Sequence, residues 1–145
     1  MLIHRKMLMS DYALSPELVS ECRTEMVQYC PSLYQQGASG NVEQRGGRII
    51  HCLMGAASRR QKFSTSCLTV LKGLVRAVDP GSDIRSDPLL ERTCRPVIEI
   101  LCPNIQPGDS NVVLCLLDNL KNPKMTEACE DRLMEVAYFI ARDWR

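Results

Sequence analysis

Eight cysteines fall into two sets with the same internal spacing, and this duplication constrains the fold more than any other feature of the chain. Cys22 and Cys30 enclose seven residues, as do Cys94 and Cys102. Cys52 and Cys67 enclose 14, and Cys115 and Cys129 enclose 13. Between the second and third cysteine lie 21 residues in the first set and 12 in the second. The nine extra residues are assigned to the polar segment Gln35 to Arg45, read as a surface-loop insertion. The match extends beyond cysteine. Asp11 and Asp83 stand 11 residues before the first cysteine of their sets, Pro16 and Pro88 six before, and Leu18 and Leu90 four before. Arg23 and Arg95 follow the first cysteine; Pro31 and Pro103 follow the second.

Each unit reads as three helices, giving an all-α fold of tandem, disulfide-linked repeats. Ser15-Pro16 and Asp87-Pro88 place an N-cap residue before a proline at the first helical position. Leu18, Cys22, Met26 and Tyr29 then make one helical face, matched by Leu90, Cys94, Ile98 and Leu101. Pro31 and Pro103 oppose continuation. A second, short helix carries Ile49, Cys52, Leu53 and Ala56, or Val112, Cys115, Leu116 and Asn119, with apolar residues dense enough for burial on more than one side. The third aligns Cys67, Leu71, Leu74, Val75 and Val78 with Cys129, Leu133, Val136, Ala137 and Ile140. Ser64 and Thr126 are its caps, and Asp79-Pro80-Gly81 is the stop in the first unit. Asp143 reads as opening a further unit, and Met1 to Ser10 as the helical tail of a preceding one. The expected bounds are 11–82 and 83–142, with 1–10 and 143–145 belonging to neighbouring repeats of a longer array.

Helix geometry limits how the cysteines pair. Cys22 and Cys30, eight residues apart on a regular helix, lie about 12 Å apart, beyond the roughly 7 Å reach of a disulfide. Two connectivities per unit remain. The nested one suits a helical hairpin best: Cys22 with Cys67 and Cys30 with Cys52, then Cys94 with Cys129 and Cys102 with Cys115. Each bridge contributes roughly 3 kcal/mol in the chain-entropy model, help that a unit of about 60–70 residues needs. The competing readings are a helical repeat with buried reduced cysteines, a zinc site and a catalytic thiol. Zinc lacks a Cys-x2-Cys pair. A nucleophile would be singular, whereas every cysteine here has a counterpart in the other unit.

Composition narrows the function. Lys plus Arg number 18 against 17 for Asp plus Glu, so the net charge of +1 supplies no basic excess for nucleic acid. Two histidines leave little room for acid–base or metal chemistry. His51 is read as a helix-surface residue, and His4 as part of a charged N-terminal stretch. That stretch, Met1 to Met9, has His4, Arg5 and Lys6 inside it and does not read as a secretory signal. No apolar run is long enough for a membrane span. No Gly-rich phosphate loop, serine elbow or zinc-protease helix occurs, so no catalytic residue, cofactor or metal ligand is assigned. Asp11, Asp83 and Asp143 are read as turn or cap residues. Arg59, Arg60 and Lys62 form a small basic cluster, read as a solvated helix end, with anion or heparin contact as the sharper alternative.

The run SPELVSECRTEMVQYCP, the segment GRIIHCLM and the closing YFIARD resemble the cysteine-rich repeat of the Golgi apparatus protein 1 family, also described as cysteine-rich fibroblast growth factor receptors. The resemblance covers nearly the whole chain. It implies a non-enzymatic Golgi membrane glycoprotein with a long luminal array of such repeats. The implied partners are fibroblast growth factors, neighbouring repeats, E-selectin when suitably glycosylated, and other secretory-pathway proteins linked to transforming growth factor β processing. The chain has no Asn-x-Ser/Thr sequon, so it cannot itself carry an N-linked selectin glycan. A second class of function is lipid or small-ligand binding in a cavity between the apolar helix faces.

Overall fold

The computed structural model describes residues 2–10, 14–36, 42–81, 83–105 and 111–143, and among these there is no strand. The helices are α1 (Leu2–Ser10), α2 (Pro16–Glu21), α3 (Arg23–Tyr29), α4 (Pro31–Gln36), α5 (Val42–Ser58), α6 (Thr65–Val78), α7 (Pro88–Leu101), α8 (Asn111–Asp118) and α9 (Glu127–Asp143). A 3-10 turn, Ile84–Ser86, joins α6 to α7.

The three-helix plan holds in both units, with differences between them. The first helix of the second unit is the continuous α7, which accommodates Pro96. Its counterpart is divided at Cys22 into α2 and α3. The ladder still passes through the break, because Cys22 N–H donates to Leu18 and its carbonyl accepts from Met26. Leu18, Cys22 and Met26 therefore remain on one buried face. The helices end at Tyr29 and Leu101, before Pro31 and Pro103. Pro31 also opens the short α4, placing proline where a missing N–H costs nothing.

The second helix corrects two expectations. In the first unit it is 17 residues long and not short, whereas α8 has eight. The supposed loop insertion is largely helical: Gln35 and Gln36 close α4 and residues 42–45 open α5, while residues 37–41 lie outside the described ones. From Ile49 to Ala57 every residue of α5 is buried except the half-buried Cys52. A helix buried all round belongs at the centre of a protein, and α5 packs against α1, α3, α4, α7 and α9.

Capping follows the expected residues with one exception. Ser64 and Thr126 hydroxyls accept from the N–H groups of Cys67 and Cys129 at 3.1 and 3.2 Å. Asp87 caps α7 through Leu90 N–H, but its counterpart Ser15 makes no side-chain cap bond. Asp83 performs the expected turn role, accepting from Arg85 N–H and pairing with its guanidinium. That guanidinium holds the Asp83 carboxyl below the ordinary carboxylate range. Asp11 lies outside the described residues. Asp143 is the last residue of α9.

Four disulfides join the helices. Cys22–Cys67 and Cys94–Cys129 have Cα separations of 4.8 and 4.7 Å. Cys30–Cys52 and Cys102–Cys115 have 6.3 and 6.4 Å. Each geometry in one unit thus recurs in the other. The two units share a single apolar core, running from Met9, Leu18 and Met26 through Ile50, Leu53 and Leu71 to Leu116, Leu133 and Phe139.

Candidate functional site at the junction of the two repeats

The most concentrated chemistry lies where α5 of the first unit meets α7 and α9 of the second. His51, on the central helix, is fully enclosed and not on a helix surface as its sequence position suggested. Its Nε2–H donates to Asp87 Oδ2 at 2.7 Å and its Nδ1–H to Glu135 Oε1 at 3.0 Å. Asp87 spends its other oxygen on capping α7. Glu135 uses Oε2 to accept from Arg132 Nη2 at 2.7 Å.

The electrostatics follow from this geometry. Burial alone drives an imidazole toward its neutral form. Here Asp87, by charge and hydrogen bond, and then Glu135 outweigh that effect and raise the His51 pKa from 6.5 to about 9. The imidazolium is therefore the resident form at neutral pH, with both N–H groups donating. Gly55, one turn along α5, makes room for the cluster, since a Cβ there would lie 2.9 Å from Glu135 Oε2.

A comparable device closes the first unit. Glu25 is buried on α3, and its carboxylate accepts from Ser64 N–H at 2.8 Å at the start of α6. An anion at a helix N-terminus is favoured by the free N–H groups and the helix dipole.

Glu25, Glu135 and the role of His51 do not stand out from helical periodicity or cysteine spacing, although a signal is present. All three break the repeat. His51 aligns with Leu114, Glu25 with Val97, and Glu135 with Gly73. Where duplicated units differ in charge, the differing residue has no reason to serve the common fold.

The cluster is suited to holding two repeats together. Both His51 ring nitrogens are engaged, leaving none to take a proton or a ligand near neutrality. All eight cysteines are in disulfides, so no thiolate is present. Among the described residues no group of His, Cys, Asp or Glu is placed to hold a metal ion. Of the other residues singled out in the sequence, His4 is exposed on α1, Arg60 and Lys62 are exposed beyond the end of α5, and the exposed Arg59 reaches back beside Gly55, near Glu135.

Residues 1–61 and 65–124 each match the cysteine rich repeat family. The chain belongs to that family. Golgi apparatus protein 1 of Homo sapiens is 39% identical over 146 residues, a match covering 100% of this chain and 12% of the relative. The Gallus gallus protein of that name gives the same figures. The Golgi apparatus protein 1 homolog of Caenorhabditis elegans is 35% identical over 147 residues, covering 99% of this chain and 12% of its own. The chain thus spans about an eighth of the length of these relatives. No solved structure matches it. Among the described residues no helix is long and apolar enough to cross a membrane.

Proposed function

We propose that the chain is part of a luminal cysteine-rich repeat array of a Golgi membrane glycoprotein, and that it acts there as a non-enzymatic protein-interaction module. Fibroblast growth factors are the leading ligand class, with transforming growth factor β processing and selectin contact as functions of the longer array. One observation carries this reading above the others. Two matches to the repeat family lie over one shared apolar core braced by four disulfides, a fixed surface of the kind that repeat proteins use to bind partners. The repeat units are taken as 11–82 and 83–142, with the flanking residues belonging to neighbours. In the oxidising lumen the pairs are Cys22–Cys67, Cys30–Cys52, Cys94–Cys129 and Cys102–Cys115.

Lipid or small-ligand binding between the apolar helix faces is the weaker alternative, because those faces are packed against one another. Surface plasmon resonance of the oxidised chain against fibroblast growth factors tests the ligand assignment. Saturable binding supports it, and its absence at low and moderate salt removes that function from these two repeats. Non-reducing peptide mapping tests the disulfide pairs; free thiols or a Cys22–Cys30 peptide would refute them.

A further inference from the structure

The junction that buries His51 leaves an open groove beside it. The groove has a volume of about 460 Å³ and lies between α5, α7 and α9, lined among others by Arg48, Arg59, Leu89, Thr93, Arg132 and Glu135. Among the described lining residues, three arginines thus stand against one carboxylate. That carboxylate is already committed, one oxygen to His51 and the other to Arg132. Arg48 and Arg59 are exposed and form no ion pair among the described residues. Arg132 adds a sharper signal: its Nε–H is buried and has no hydrogen-bond acceptor among the described residues. An unmade bond at a buried donor is costly and uncommon in folded proteins.

With His51 protonated, the groove and its wall hold four cations (Arg48, Arg59, Arg132, His51) against two carboxylates (Glu135, Asp87). That local excess of two positive charges equals the net charge of the whole chain, +1 with histidine neutral and +2 once His51 is counted as a cation. Guanidinium forks match tetrahedral oxyanions, giving parallel charge-assisted hydrogen bonds. Thr93 adds a hydroxyl, and Leu89 gives an apolar wall suited to the C–H face of a sugar ring. Arg48 and Arg59 share one face of the helical run and stand about 16 Å apart along it. A track of this kind fits a chain bearing several anions better than a lone ion.

We propose that this groove binds a sulfated oligosaccharide, with Arg48, Arg59 and Arg132 receiving successive sulfate groups along the junction of the two repeats. The site uses residues from both units, so a single repeat would not contain it. It is independent of whether the chain binds a growth factor.

Titration calorimetry of the oxidised chain with a heparin-derived hexasaccharide at about 50 mM NaCl, where exposed charges are only partly screened, tests the proposal. Saturable binding is expected. The double variant R48Q/R59Q, at two exposed positions, is expected to weaken it by roughly tenfold or more. The pair R23Q/K72Q removes the same charge away from the groove and is expected to change affinity little. The Arg132 Nε–H resonance is expected to shift on addition of the hexasaccharide. Competition by inorganic sulfate, with no binding of the desulfated sugar, would support oxyanion recognition. No binding at this salt, an equal loss in R23Q/K72Q, or equally tight binding of a poly-glutamate peptide would overturn the proposal.

Discussion

His51 sits between Asp87 and Glu135 with no solvent of its own, so its contribution to stability depends on its charge. A group whose folded pKa is raised stabilises fully below its unfolded value and loses that contribution as pH rises through the folded one. For His51 the window runs from 6.5 to about 9. The urea midpoint of the oxidised protein is therefore expected to fall between pH 6.5 and 9, and His51→Leu is expected to flatten that decline. The same variant leaves two buried carboxylates without their shared partner and is expected to cost about 3–5 kcal/mol at neutral pH. A loss below about 1 kcal/mol by urea denaturation, of the size seen for surface pairs, would show that the cluster does not hold the junction. Gly55→Ala tests the same cluster sterically. Its methyl would meet a carboxylate oxygen pinned on both sides, and a destabilisation of about 1–3 kcal/mol is expected on thermal or urea unfolding. The composition, with two histidines, argued against rich histidine chemistry, and the structure turns one of them into a structural charge. No local pattern could reveal this, because His51's carboxylates are 36 and 84 residues away.

At the scale of elements, helix ends were more legible than helix lengths. Caps are local chemistry, one side chain reaching an N–H three residues on, so Ser64, Thr126 and Asp87 could be read directly. Ser15 satisfies the same pattern and makes no bond, since a pattern specifies residue types and not the dihedral angles that bring them together. The start of α5 was missed for another reason. A polar segment reads as loop in isolation, but its residues 42–45 form the first turn of a helix whose later turns are locked in the core. The end of α5 holds an element-scale test. Gln61 N–H bonds Ala56 and Arg60 N–H bonds Ala57, the two crossed bonds of a Schellman cap. Arg60 takes the left-handed position at φ 62°, where glycine is the unstrained residue. Arg60→Gly is expected to raise stability by about 1 kcal/mol, measured by urea denaturation.

For the whole molecule, the shared core makes the two repeats one folding unit. A single calorimetric transition is expected for the oxidised chain, and two resolved transitions would show that the repeats melt independently. The disulfides should differ in weight by the loops they close. Cys22–Cys67 spans 45 residues and Cys102–Cys115 spans 13. In the chain-entropy model, replacing the first pair by serine costs about 4 kcal/mol and the second about 3 kcal/mol. Urea denaturation of the two double variants should reproduce that order.

The sequence by itself determined the helical class, the duplication, the faces that pair within each unit and the residues that cap the helices. All of these rest on contacts repeated in both units or made within a few residues. Only the tertiary structure decided how one unit meets the next. Stacking buries the α5 face bearing His51 under α9, while the equivalent Leu114 on α8 stays 54% exposed. A residue's environment is set by what covers it. Where the cover comes from another repeat, neither periodicity nor spacing within the unit carries that information.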